Sequence, residues 1–334
     1  MSGGQAVAPK ADEIAAANGE CVALLVPNTE AGRGVVALIE GRSTARLLRV
    51  GRADPLFSRL DVGGNVGFAL SRSRTAGERA RATDDLLASA GLEHLAGRRV
   101  RQLGPAERIR VLLARAFAAT QPLLIDDLFA GLSSEERGSL QIVLRRLVRQ
   151  RRAAVVLVTM ERSELLACGD RIGIVERGLP AVRPAASLLA SPPSAFAARA
   201  LLEAELFPGR VGADLEDDEA DVHLACGATV PARLFDGVGA GDLCLVAVRP
   251  DQIAFAALPA REMGDRSVEA TLIEVCELGD HLRLRLRLAD GTQVWVRRPS
   301  ASLTQRDVAR ASEPGGASLA WRSASAVAYP HPDA

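Results

Sequence analysis

Two adjacent carboxylates, Asp126 and Asp127, close the apolar run Pro122-Leu-Leu-Ile125. Acids at the mouth of a buried strand either hold a metal ion or cap the loop that follows, and the residues alone leave both open. Glu107 stands behind Gly104-Pro105-Ala106 at the head of an apolar-periodic segment. Proline at a first helical position and a carboxylate in the first turn both suit a helix N-terminus. Arg283, Arg285 and Arg287 alternate with Leu282, Leu284, Leu286 and Leu288. That stripe offers an anion-binding face, but a solvated outer strand face outweighs it. Lys10 is the only lysine, so chemistry that needs a buried lysine has no candidate in the body of the chain. The 4 histidines and 5 cysteines (Cys21, Cys168, Cys226, Cys244, Cys276) are dispersed without a Cys-x-x-Cys pair. Their spacing predicts reduced core thiols and no metal site.

The elements that must position these groups are written in the apolar pattern. The chain has 334 residues, long enough for about two domains, and 48% of them are hydrophobic. Forty-one basic and 41 acidic residues cancel, which argues against a nucleic-acid partner. Residues 1–18 are small and polar and are expected to fray; Met1 to Lys10 lacks the apolar core of a signal peptide, and no apolar run is long enough to span a membrane. Cys21 to Val26, Pro122 to Ile125, Ala153 to Thr159 and Arg171 to Val175 read as buried strands. Helices are predicted from Val35, over Thr83 to Ala90 with Thr83 as N-cap, over Glu107 to Ala119 and over Ser134 to Gln150. Strands alternating with helices imply an α/β parallel sheet covered on both faces. After Ser191-Pro-Pro-Ser194 and the acidic stretch Leu215 to Asp221 the pattern changes to short strands, clearest in His281 to Leu288, the turn Asp290-Gly291 and the return Thr292 to Arg297. This half reads as a small antiparallel barrel. The boundaries are 1–18, 19–206 and 207–334.

Several segments, in this order, resemble the ATP-binding-cassette (ABC) ATPases of bacterial importers, nearest to the spermidine/putrescine and sugar type with a C-terminal TOBE-like regulatory barrel. Ala23 to Gly41 matches the strand, phosphate loop and helix; Asp54 to Val66 the loop toward the transmembrane subunit; Leu103 to Ala116 the signature loop and helix. Leu123 to Leu132 looks like the magnesium-binding strand, and Val156 to Leu165 with Gly169-Asp-Arg-Ile172 the switch segment. Val248-Arg-Pro-Asp-Gln-Ile253 and Leu278-Gly-Asp280 are similar to landmarks of the barrel. The resemblance implies a P-loop NTPase (RecA-like) parallel sheet with a helical subdomain, followed by a TOBE/OB-like barrel.

In that frame the residues of ATP chemistry are replaced. The phosphate-loop glycines correspond to Val26, Thr29 and Ala31, the lysine to Gly32, and the hydroxyl positions to Arg33 and Gly34. Arg33 stands one position late, and its fork is bulkier and differently aimed than an ammonium. The metal-touching glutamine corresponds to Arg52, the signature serine to Gly104 and the switch histidine to Met160. Pro105 lacks a donor, Ala106 replaces a glycine and Glu107 would repel a phosphate. Asp126 keeps the magnesium position, whereas Asp127 is a methylene (about 1.5 Å) short of the catalytic glutamate. No aromatic residue precedes Phe57, so the adenine has no stacking ring, and the short Gly41 to Arg52 interval implies a shortened antiparallel subdomain.

The resemblance implies a cytoplasmic subunit peripheral to the inner membrane. It would pair with a second nucleotide-binding subunit and dock permease subunits through Asp54, Leu56, Phe57 and Asn65. No tightly bound cofactor is expected; ATP and magnesium would bind at low affinity or with a partner's help. The resulting expectation is a degenerate ATPase subunit that docks a permease with little or no hydrolysis. The competing expectations are an active ATPase using Arg33, Asp126 and Asp127, or a permease-independent ligand sensor.

Overall fold

The structure is a computed structural model that describes residues 14–332 apart from 44, 71–74, 177, 179, 217 and 265; Lys10 and the rest of 1–13 lie outside the described residues. It divides into two compact units, Met1–Leu188 and Leu189–Ala334. The division falls before Phe207 because helix α8 (Ala195–Leu202) packs on strands of the second unit.

The first unit is built on β1 (Cys21–Leu25), which is buried at every position, as its unbroken apolar sequence requires. Next come α1 (Thr29–Arg42), β2 (Leu48–Gly51), α2 (Val62–Gly67), α3 (Ala76–Ala90), α4 (Pro105–Phe117), β3 (Leu123–Asp126) and α5 (Ser134–Arg151). The unit ends with β4 (Val155–Thr159), α6 (Arg162–Cys168), β5 (Arg171–Ile174), β6 (Arg183–Pro184) and α7 (Ala185–Ala190), the last running into the second unit. The sheet order is β2-β3-β4-β1-β5-β6, parallel except for β6. Helices α2, α3 and α4 pack together as a helical subdomain.

The largest differences from the sequence expectation within this unit are two helix starts and the N-terminal segment. Helix α1 starts at Thr29, not Val35, because Asn28 Oδ1 accepts the Ala31 N–H at 2.8 Å. Helix α3 starts at Ala76, capped by the reciprocal Thr75/Glu78 box; Thr83 lies inside it, its hydroxyl donating to the Arg79 carbonyl at 2.8 Å. Ile14 is 2% exposed and Arg171 Nη2 donates to the Ala15 carbonyl, so residues 14–18 are anchored rather than frayed.

The second unit holds β7 (Glu205–Glu216), β8 (Glu219–Leu224), β9 (Thr229–Leu234), β10 (Leu243–Val248), β11 (Ala254–Ala256) and α9 (Ala260–Met263). It continues with β12 (Val268–Glu277), β13 (His281–Leu288), β14 (Gln293–Pro299), α10 (Gln305–Ala311), β15 (Ala317–Ala320) and β16 (Ala326–Pro330). Strands β10-β16-β9-β8-β7 close a barrel in which β16 and β9 run parallel. The expected β13–β14 hairpin forms, but in a separate five-stranded sheet, β11-β15-β12-β13-β14. One apolar core joins barrel and sheet, with Phe207 and Leu284 fully buried. The acidic stretch is the β7–β8 hairpin. On β13 the leucines are buried and the arginines face out; Arg285 pairs with Glu274 at 2.5 Å, and Arg283 and Arg285 flank the Trp295 ring at 4.3 and 5.5 Å.

Candidate functional site

The C-terminal ends of β1, β2, β3 and β4 open onto one cavity of about 520 Å³. Parallel strands leave their carboxyl ends as the place where loops meet, so this is where an α/β sheet gathers ligand groups. Val26, Thr29, Gly32, Arg33, Arg52, Asp126, Asp127 and Met160 all line it, so most of the sequence-predicted positions converge. Ala31 and Gly34 belong to α1 but not to the lining.

The segment from Val26 is a short turn into a capped helix. The Val26 N–H is held by the Thr159 carbonyl at 2.9 Å, the Gly32 N–H by the Asn28 carbonyl at 3.0 Å and the Ala31 N–H by the Asn28 side chain. The Thr29 hydroxyl is directed to the Met160 sulfur at 3.8 Å. A Cβ at Gly32 would stand 3.4 Å from Val26 Cγ2. Arg33 is exposed one turn into α1 and has no hydrogen-bond or ion-pair partner among the described residues.

Asp126 is not bare. Arg49 Nη2 lies 2.5 Å from its Oδ2, with side-chain exposures of 47% and 19%. The register makes this contact: Gly51 lies opposite Asp126, and Arg49 points to the same side two residues earlier. Asp127 adopts a left-handed backbone (φ 44°), and its N–H donates to the Val158 carbonyl at 3.0 Å. Burial, then the charges of Asp126 and Glu161, raise its carboxyl above the usual range, while Arg52 and Arg137 oppose that shift. Among the described residues, neither acid caps the loop or the helix that follows. Ser133 does so, accepting the Glu136 N–H at 3.3 Å while Glu136 accepts the Ser133 N–H at 3.0 Å.

The switch segment carries a buried cluster that the sequence reading passes over. Glu164 is fully buried and accepts the Thr159 hydroxyl at 2.6 Å. Arg137 reaches across from α5 to Glu161 at 2.8 Å and lies 3.8 Å from Glu164, too far for a hydrogen bond. Burial raises the Glu164 carboxyl, opposed by the Thr159 hydrogen bond and Arg137. Folded Glu164 therefore holds its proton to a higher pH than the unfolded chain does. Its contribution to stability is full below the ordinary value of 4.5 and is lost as pH rises through the folded value. A Glu164→Gln variant keeps an acceptor for Thr159 and removes the titration. Urea melts from pH 4 to 8, at the order of these reference values, should show the variant gaining on the parent chain as pH rises; parallel pH profiles would refute the assignment.

The signature positions lie elsewhere in the unit. Pro105 is the first residue of α4, and the Gly104 N–H donates to Glu107 Oε2 at 2.8 Å, so the helix start is self-contained. Pro105 and Leu56 line an adjoining cavity of about 630 Å³, which shares Arg52, Ala53 and Asp54 with the first. Of the docking positions, Asp54 and Phe57 line a third cavity of about 510 Å³. There Phe57 packs on Phe68, centroids 4.4 Å apart, under the Arg115 guanidinium at 5.3 Å. Asn65 must be withdrawn as a contact residue. It is fully buried and holds the loop, accepting the Phe57 N–H at 2.8 Å and donating to the Asp61 carbonyl at 2.9 Å.

Residues 246–328 match the TOBE domain family. A spermidine/putrescine import ATP-binding protein, PotA, of Marinobacter nauticus is 31% identical over 243 residues, 72% of this chain and 64% of that relative. The chain is thus similar to import ATP-binding proteins of the spermidine/putrescine type over most of its length, and to the TOBE domain over residues 246–328. PotA 1 of Pseudomonas aeruginosa is 28% identical over 258 residues, 74% of this chain and 68% of the relative. The match to the first of these relatives thus spans less than two thirds of its length. Among solved structures, a chain of an ABC transporter described as metal-chelate type, captured inward-facing, is similar at TM-score 0.46 and 16% identity, covering 62% of this chain and 86% of that one. Among the described residues, no helix is long and apolar enough to cross a membrane.

Proposed function

We propose that this chain is a degenerate nucleotide-binding subunit of an ABC-type importer: it docks a transmembrane permease and a second nucleotide-binding subunit, peripheral on the cytoplasmic face of the membrane, and hydrolyses little or no ATP itself. The observation that carries this reading is the Arg49 guanidinium on Asp126. A magnesium ion bound through this carboxylate would meet a cation already seated there and be repelled by it. The rest of the cavity agrees. Gly32 and Met160 supply neither ammonium nor imidazole, and the N–H groups of Ala31 and Gly32 are committed to Asn28. The residues present do not fit magnesium-bound ATP. The docking half of the reading is supported by the half-exposed Phe57 and Phe68 pair, an aromatic patch with Arg115 above it, the residue types that anchor protein interfaces.

The test is ATP turnover by the purified chain beside its Asp126→Asn variant, with co-purification from membranes as the second arm. Turnover is expected at the level of the no-protein blank in both, with a permease retained on the intact chain. A magnesium-dependent rate that falls about tenfold or more in Asp126→Asn would establish a working ATPase and overturn the reading.

A further inference from the structure

We propose that the outer face of the β12–β13–β14 sheet is a docking surface for an acidic, extended segment of a partner protein, held by Arg283 and Arg287 with Trp295 between them. The proposal goes beyond the reading above and does not rest on it, since every residue involved belongs to the second unit.

The register lays the face out in rows. Glu274, Arg285 and Trp295 stand side by side on neighbouring strands, with Arg283 and Arg297 one row to one side and Arg287 one row to the other. Arg283 and Arg287 are exposed and make no hydrogen bond or ion pair among the described residues. The acids around them are engaged. Glu274 pairs with Arg285, Glu203 pairs with Arg297 at 3.1 Å, and Glu205 accepts the Trp295 backbone N–H. Asp280 and Asp290, at the two turns, bind His281 and Thr292, and Glu269 is turned against Gly315. Arg283 lies over the Trp295 ring at 4.3 Å. A guanidinium over an indole is held by its π contact while its in-plane donors stay free for a carboxylate, so binding has less side-chain freedom to freeze. The β14 edge is closed to strand addition: the Trp295 N–H goes to Glu205 and the Arg297 N–H to the Pro250 carbonyl at 3.0 Å. The partner therefore lies across the face. Arg283 and Arg287 stand about 13.6 Å apart, four antiparallel rises. An extended segment with an acid at every second residue brings a carboxylate to both, whereas a helix repeats one face at about 10.5 and about 16.5 Å, seven and eleven residues on. The chain's own acidic β7–β8 hairpin lies at the opposite end of β7 from Glu205, so the carboxylates come from a partner.

The full chain is titrated with a synthetic peptide alternating glutamate and serine, and with its glutamine–serine counterpart, following intrinsic fluorescence and heat of binding. Trp295 and Trp321 are the only tryptophans and Trp321 is 8% exposed, so a change in emission reports on Trp295. The acidic peptide is expected to bind and shift the emission, more weakly as salt screens the charges, and the glutamine peptide to do neither. Arg283→Gln and Arg287→Gln should each weaken binding about threefold and together about tenfold, the fold-change of exposed ion pairs, without moving the melting midpoint. Arg233→Gln, at an exposed arginine of β9, should leave binding unchanged. Absence of binding, an equal loss in Arg233→Gln, or tighter binding of single-stranded oligothymidine than of the peptide overturns the inference. Association of the chain with itself through the same arginines, which the peptide fails to compete, overturns it in favour of a second copy. Neither Arg283→Gln nor Arg287→Gln touches a residue on which the docking-subunit reading rests, so the two fail separately.

Discussion

An Arg137→Met variant should lose about 2–4 kcal/mol of stability in the first unit, and lose more at pH 8 than at pH 4, about the two ends of the glutamate titration. Arg137 sits in the second turn of α5 with 18% of its side chain exposed. It binds three things at once: Glu161 at 2.8 Å, the Leu132 carbonyl at 3.3 Å and, through charge alone, Glu164 at 3.8 Å. Those partners belong to the loop after β3 and to the switch segment after β4, so one side chain ties α5 to both loops beside the cavity. Methionine preserves the stem and removes the charge. Glu164, 1% exposed at its side chain, is then left with only the Thr159 hydroxyl. A buried charge stripped of its partner costs more than the pair ever contributed. The pH dependence separates this account from simple loss of packing. Without Arg137 the Glu164 carboxyl rises further, so the chain regains stability as Glu164 takes up its proton and loses it as pH rises. Chemical denaturation across that range is the measurement, and a cost that stays flat with pH would sink the electrostatic account.

How much of this was readable beforehand depends on the range of each interaction. Unbroken apolar runs such as Cys21 to Leu25 and Val155 to Thr159 are short and valine-rich, which fits strands buried on both faces better than buried helix turns. The β13 alternation is equally plain, since a period of two cannot be satisfied by a helix. Helix starts were readable but were misplaced. Asn28 and Thr75-x-x-Glu78 are ordinary capping signals, but they stand ahead of the apolar stripe that begins at Val35 and of Thr83, whose hydroxyl only bonds back within its helix. Asn65 shows the opposite failure. It was given a surface role by resemblance, while its side chain spends its amide on the loop backbone of Phe57 and Asp61. The Arg49–Asp126 pair lies beyond any local signal: the partners are 77 residues apart, and only the β2–β3 register brings them together. The same holds for Arg137 and the switch segment. The spacing therefore shows which positions meet at one cavity, and not the long-range partners, such as Arg49, that occupy their side chains.

Gly169→Ala should cost the first unit about 2–4 kcal/mol, although it adds a single methyl group. The backbone is ordinary there (φ −77°), so the requirement is space, not conformational freedom. A Cβ at 169 would stand 2.5 Å from Ile172 Cγ2, 2.9 Å from Ala23 Cβ and 2.9 Å from the Leu165 carbonyl oxygen. None of these can yield by swinging a flexible tip: Ile172, Ala23 and Leu165 are all fully buried, and the carbonyl already accepts the Gly169 N–H at 3.0 Å. Relief must come from moving the end of α6 away from β1. That movement strains the next residue, where Asp170 donates its N–H to the Cys21 carbonyl at 2.8 Å and accepts the Cys21 N–H at 2.9 Å. Gly138→Ala is the internal control. It lies in α5 with nothing within 4 Å of its missing Cβ, so alanine should stabilise the helix by about 0.5–1 kcal/mol. Opposite signs for the two substitutions in one denaturation series are the expected outcome, and a Gly169→Ala cost below about 0.5 kcal/mol, the scale of a neutral surface change, would refute the packing argument. Because β1 leads directly into Val26 and the capped turn at Asn28, a strand displaced at Ala23 also shifts the floor of the cavity.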